Sequence, residues 1–474
     1  MKKIFSVFCV VLPFFLLGQT VTVSEKISVR DGCFYELLGK MKGQFLLFLR
    51  CGEDTEVHAY DEKMKTKWTK TLELDQKKVK LLEVISDKDQ FDIIYAYKQK
   101  GTYRVKIQRY NPGANLIDSL TIKSYKSRFY PPKLKLIYSE NREKILLYHN
   151  TNAKDEFECL AFDLKQRKVL WEHKVAPRNM TFFKDYYTML LDNRANVYIP
   201  LIKNNKKSKK KDHHFEIVKY DWQINTIYQQ RIPMEGKLTY DVNFSIDNLN
   251  KNLIAAGLYT EKSKLKANGY FFMKIPIQDL GQFITKFEPF KDEFMATLLK
   301  KKKKRVKGLN DTRVQEVIHR RDGGILMVGE LNKRYERRGG LNSGYLRSDI
   351  RDYIVDHHYD DIFVISIHPD GQTHWKNILH KRQFSQDDDG VFSSYFLLKT
   401  PTNLRFLFND SIKYESTVSE YIINALGEMD RNSVLSTDNQ KLQLRFKESL
   451  QTGSDELLVP SEHHNQLKLV RIKY

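Results

Sequence analysis

The amino-acid sequence predicts an all-β fold: a β-propeller of four-stranded antiparallel blades, eight favoured and seven the alternative, with one short helix between two blades. Three observations predict it. An alternating strand, a polar turn and a second strand that often carries Trp recur seven times along the chain. Two further strand-like runs stand ahead of most of these pairs. The last unit has only three strands, and a spare strand near the start has no unit of its own.

The chain opens with Lys2 and Lys3, followed by "IFSVFCVVLPFFLLG", an apolar run too short for a comfortable bilayer span. Gly18 stands just before Gln19, where a signal peptidase could cut, so residues 1–18 read as a cleaved export signal. Cys9 lies inside the apolar run and not directly after the cut, so no lipid anchor is expected. No later stretch reaches about 18 uninterrupted apolar residues, the least a spanning helix needs. The mature chain is therefore expected to be soluble, monomeric, without a transmembrane segment, and periplasmic or extracellular. Residues 19–474 read as one propeller domain, with "TVTVSEKISV" (about 20–29) supplying the strand that completes the last blade.

Three cysteines follow the signal, Cys33, Cys51 and Cys159, enough for one pair and one free thiol. The segment "CFYELLGKMKGQFLLFLRC" reads as a hairpin turning near Lys42 and Gly43. Folding it there sets position 33 across from position 51, the geometry a cross-strand disulfide needs. Closing such a loop adds about 3 kcal/mol. Two unpaired buried thiols are the alternative.

The recurring hairpins begin at Val57, Val105, Cys159, Ile217, Phe271, Phe363 and Tyr421, and "QLKLVRIKY" ends the chain as an eighth candidate. Four strands per unit of about 55 residues is the signature of a propeller blade. The widest interval, between Phe271 and Phe363, holds two long insertions, about 291–312 and 331–361, the first of which includes the expected helix. Asp322, Gly323 and Gly324 form a tight turn between the strands ahead of the latter hairpin. "SIHPDGQTHW" (366–375) looks like the Asp-box of sialidases, but Asp370 and Gly371 are adjacent where that motif separates them. It reads as a turn, with Gly371 at positive φ and Trp375 packing between blades.

Ala161, Asp163 and Trp171 in "AFDLKQRKVLW", with Ala59, Asp61 and Trp68 in "AYDEKMKTKW", resemble the blade motif of quinoprotein-like propellers, without the Thr-Gly usual in that turn. The resemblance implies the propeller fold. Enzymes of that family hold pyrroloquinoline quinone and calcium with the help of a vicinal cysteine pair, which this chain does not have. Its non-enzymatic members act as envelope scaffolds. The wider pattern, including "GGILMVGE" and "DDIFVISIHPDGQTHW", is also similar to uncharacterised exported propeller-like proteins of Gram-negative bacteria.

Lys and Arg (80) outnumber Asp and Glu (59), a net charge of +21, or +19 once Lys2 and Lys3 leave with the signal. Such a balance favours acidic partners. In a propeller, loops from strand two to strand three share a side with the connections between blades, and the most basic segments fall in this group. They are the loop with Lys206, Lys207, Lys209, Lys210 and Lys211; the connection with Arg128; the connection with Lys301, Lys302, Lys303, Lys304 and Arg305; and the insertion with Arg337 and Arg338. These residues form a candidate ligand-binding face for an anionic envelope polymer or a protein partner. The bland reading is that Lys-rich loops are merely solvated. Cytoplasmic nucleic acid is not an expected partner of an exported chain.

A catalytic reading rests on "DYIVDHHYDD", where Asp356, His357, His358, Asp360 and Asp361 offer donors for a divalent metal. Adjacent residues of a strand point to opposite faces, so the two histidines could share a metal only in a loop. No Gly-rich phosphate cradle, nucleophile elbow or paired metal-ligand cysteines occur, and no catalytic residue is assigned. No cofactor is expected apart from that metal. The favoured reading is a non-enzymatic binding or scaffolding module, and the alternative a metal-dependent hydrolase or lyase acting on an acidic polysaccharide.

Overall fold

The seven hairpins of the sequence are the third and fourth strands of seven consecutive sheets in the computed structural model. The structure describes residues 19–474 except 31, 127–130, 152–154, 263, 303–305, 339–352, 411, 413–416 and 438–441, and the backbone alone of Arg338 and Tyr353. Blades one to seven occupy residues 34–71, 80–126, 135–175, 190–233, 238–289, 312–379 and 396–436. Each is a four-stranded antiparallel meander, and eight blades in all form a ring.

The eighth blade is made from both ends of the chain. Leu450–Gln451, Glu456–His463 and Gln466–Lys473 supply three strands, and Thr20–Val23 adds the outer one, pairing from Thr20 with Lys473 to Val23 with Val470. Ile27–Ser28 continues along the same edge. This pairing ties the ends together and leaves no open gap in the ring.

Closure is equally visible in the core. Eight buried apolar clusters fill the eight gaps between neighbouring blades. The run Gln44–Cys51 shows why: Leu46 and Phe48 pack toward blade two, whereas Phe45, Leu47 and Leu49 pack toward blade eight. A strand buried on both faces needs a continuous apolar sequence, which "FLLFL" supplies. Each phenylalanine buried there contributes about 1.5–3 kcal/mol.

The first hairpin explains the cysteine pair. Lys42 and Gly43 both take positive φ at the turn (47° and 75°), as a two-residue hairpin loop demands. A turn centred there sets Lys40 against Phe45 and would place Cys33 one residue out of step with Cys51. A bulge at Leu38 shifts the register by one, so Phe34 faces Arg50. Cys33 and Cys51 thereby meet and form the disulfide, while Cys159 is free and buried.

The tryptophan pattern has a packing cause. Ala59 faces Trp68, Ala161 faces Trp171 and Ser366 faces Trp375, in each case beside a bulge. The small residue makes room for an indole that reaches the next blade: Trp171 Nε1 donates to Ala195 O (3.0 Å) and Trp375 Nε1 to Ala425 O (3.2 Å). Gly371 lies in a tight turn at φ 86°, closed by its own N–H to His368 O. A short helix, Asp292–Leu298, joins blades five and six.

Candidate functional site

Alternating strand directions put the loops between second and third strands on the same side of the ring as the blade-to-blade connections. The loop of Lys206, Lys207, Lys209, Lys210 and Lys211 joins Val197–Lys203 to His214–Asp221 in blade four and folds as a 3₁₀ turn over Lys207–Asp212. All five lysines are exposed or nearly so, and none has an ion-pair partner among the described residues. The base of this loop is fixed. His213 Nδ1 donates to Lys203 O (2.6 Å), its Nε2 lies 2.8 Å from Thr239 Oγ1, and Asn205 bonds the Thr239 backbone through both amide atoms.

Lys301 and Lys302, also exposed, follow the short helix in the connection from blade five to blade six. Lys300 beside them reaches Asp361 Oδ1 at 3.3 Å. Arg337 sits on the long second strand of blade six, Ile325–Arg338, with Nε 2.7 Å from Asp356 Oδ2. Arg338 pairs with Tyr353 through the backbone. Lys303, Lys304, Arg305 and Arg128 lie outside the described residues.

Sequence reading passed over a further basic loop, 261–268, the equivalent connection of blade five. The Lys264 ammonium there has a lowered pKa, first from the surrounding protein and then from Lys206. The two cations are thus close enough to feel each other. The signal was present as three alternating lysines in "EKSKLKAN", but no block of like charge drew attention to it.

The segment of the metal reading is not a loop. Tyr353–Ile367 is one strand, paired with Asn332–Arg338 on one side and Gln383–Gln386 on the other. His357 and His358 therefore point to opposite faces. His358 packs against the rings of Tyr335 and Phe384, while His357 is buried. The Arg337 guanidinium holds the Asp356 carboxyl below its usual range, and Asp360 lies 3.6 Å from Lys333. Asp361, fully buried, accepts the Lys381 backbone N–H (3.0 Å) and lies 3.0 Å from His380 Nδ1. Among the described residues no three His, Cys, Asp or Glu side chains group as a metal site.

The first strands of successive blades touch one another and so line the axis. A cavity of about 740 Å³ opens there, walled by Leu136, Leu190, Phe244 and Ile318, with Tyr138, Glu140, His319 and Lys399 as its charged or titratable groups. Lys399 is paired with Glu316 at 2.8 Å. Elsewhere on the axis, crowding by the protein walls and then by Glu83 pushes the Glu36 carboxyl up to about 7, although its surface stays open to solvent.

No protein-family model matches the chain, and no curated protein matches it. Solved structures do. The chain is similar to the WD40 domain of SCAP from fission yeast (8% identity, 96% of this chain and 82% of that one, TM-score 0.33). It is similar to the β-propeller domain of the Trilobed protease from Pyrococcus furiosus (10% identity, 84% and 97%, TM-score 0.37). It is also similar to an oligogalacturonate lyase in complex with manganese (8% identity, 95% and 98%, TM-score 0.39). These likenesses concern fold alone. The class that the blades define is the eight-bladed β-propeller with an N-terminal closing strand.

Proposed function

We propose that this propeller is an exported, non-enzymatic binding module whose connector side holds an anionic envelope polymer or an acidic surface of a protein partner. One observation carries the reading: exposed lysines without ion-pair partners, Lys206, Lys207, Lys209, Lys211, Lys301 and Lys302, at connectors that share one side of the ring. Charges left unpaired at the surface are available to a polyanion, whose bound counterions they release. The short turns of the opposite side mix acids with bases, as in "DEKMK" and "ENRE". Export is supported by the N-terminal pattern and by the Cys33–Cys51 bridge, which suits an oxidising compartment.

The test uses the full mature chain and two polyanions, lipopolysaccharide and a polyuronate, titrated across salt concentrations. Affinity should fall linearly on a log–log plot against salt. Replacing Lys206, Lys207, Lys209 and Lys211 by Glu, together with Lys301 and Lys302, should abolish it, and His357→Ala should leave it unchanged. A salt-independent affinity, or one that survives the charge reversal, refutes the reading.

A further inference from the structure

On the other side of the ring, a cleft of about 520 Å³ lies between the turns of blades four and five. Its lining contains three polar side chains that folding has almost removed from solvent: Asp192 (4% exposed), Asn196 (5%) and Lys219 (7%). Burying such groups costs free energy unless every one is satisfied. Asp192 is satisfied, by the N–H groups of Arg194 and Asn196, by Asn196 Nδ2 and by the Tyr198 hydroxyl. Lys219 Nζ meets Asp221 Oδ2 (2.9 Å) and Ile277 O (3.2 Å) and lies 5.6 Å from the centre of the Tyr228 ring. Asn196 Oδ1 has no partner among the described residues.

We infer that this cleft is a binding site for a neutral saccharide. Three features select that chemistry. The charged groups of the lining balance, with Arg194, Lys219 and Lys251 against Asp192, Asp221 and Asp279, so the cleft has no net charge with which to select a charged ligand. The remaining polar lining is mainly amide, including the exposed Gln223 and Gln278, and an amide both donates and accepts and so suits ligand hydroxyls. Exposed Tyr228 and Ile224 add apolar surface for the C–H face of a pyranose ring. The cleft is remote in topology from the lysine loops, and its ligand would be uncharged, so this inference stands apart from the polyanion reading.

The experiment is a screen of the full mature chain against immobilised neutral glycans and uronate-containing glycans, followed by titration of the best neutral binder. Binding to a neutral glycan is expected. Tyr228→Ala and Asn196→Ala should each weaken it roughly tenfold, about 1.4 kcal/mol. Gln223→Ala, at an exposed position, should weaken it too and keeps the test readable should Asn196→Ala lower the melting temperature. Charge reversal of the lysine loops should leave it unchanged. Absence of neutral-glycan binding, a preference for uronates alone, or affinity indifferent to Tyr228→Ala and Gln223→Ala would each overturn the assignment.

Discussion

His213 makes the stability of the molecule, and the anchoring of its most basic loop, depend on pH in a calculable way. The ring is 1% exposed, and its geometry requires the neutral form: Nδ1 donates to Lys203 O, so Nε2 is left to accept from Thr239 Oγ1 and the Thr239 N–H. A proton on Nε2 would face that N–H. Burial accordingly lowers the His213 pKa from 6.5 to about 4, with His214 and Lys264 adding to the effect and the bond to Lys203 O opposing it. Because the folded value is depressed, the unfolded chain takes up a proton between pH 6.5 and 4 that the folded chain refuses. Stability is then fully present above 6.5 and lost as pH falls toward 4. At 1.36 kcal/mol per pKa unit, the loss comes to about 3 kcal/mol. The assay is denaturant unfolding of the wild type and of His213→Gln at pH 7.5, 6, 5 and 4. Titrations elsewhere in the molecule cancel in the difference. The advantage of the wild type over the variant should shrink by about 3 kcal/mol across that range. A difference independent of pH, or one complete by pH 6, would refute the argument.

Three other perturbations test the frame around this site. Lys381 and Glu330 form an ion pair (2.7 Å) with both side chains fully buried, so Lys381→Met should cost about 3–5 kcal/mol by stranding the carboxylate. Adding Glu330→Gln should recover much of that loss in the same unfolding assay, and two additive losses would count against a coupled pair. Replacing Cys33 and Cys51 by Ser should remove about 3 kcal/mol, read as a lower denaturation midpoint that reducing agent also produces in the wild type. Deleting residues 20–23 strips Val21 and Val23 from the last cluster and exposes the edge of Gln466–Lys473. A loss of about 2–3 kcal/mol and faster amide exchange at Leu469–Ile472 should follow, and unchanged exchange there would mean that the strand does not hold the ring.

The outer half of every blade was legible because third and fourth strands are long, alternating and joined by turns with strong local chemistry. The shortest innermost strands were not. Leu190–Leu191 and Leu450–Gln451 are only two residues long, and two residues carry no period, whereas the eight-residue first strands Phe34–Met41 and Thr312–His319 stood out in the sequence. The Leu38 bulge was equally hidden, for a one-residue shift leaves no compositional trace. It is nonetheless what lets a hairpin turning at Lys42–Gly43 bring Cys33 to Cys51. In "IVDHHYDD" the signal was there but was read for donor chemistry. Val355, His357, Tyr359 and Asp361 alternate with Asp356, His358 and Asp360, which is a strand's period of two. The polar cleft escaped because its residues come from turns up to some 90 positions apart, none of which is distinctive alone.

The concentration of long segments on one side of the ring follows from how the other side is built. There the turns bond to their neighbours across the blade gaps: Asn141 N–H to Asn193 Oδ1 (3.1 Å), Asn193 N–H to Asn248 Oδ1 (3.0 Å), and the indoles of Trp171 and Trp375 to carbonyls of the following blade. A turn held in register by a neighbour cannot lengthen without breaking that bond and uncovering the apolar gap beneath it. On the opposite side such bonds sit at the feet of the loop of blade four, from Asn205 and His213 to Thr239, so the residues between those feet can lengthen at little cost in stability. The 206–211 segment is therefore free to vary in length and charge while the wheel stays intact, whereas the 291–312 connection is held by Met295, Leu298 and Leu309 in the core between blades five and six. By the same logic, lengthening the 206–211 loop should leave the unfolding midpoint unchanged. An equal insertion at Asn193 should lower it by at least the ~1 kcal/mol of a lost hydrogen bond.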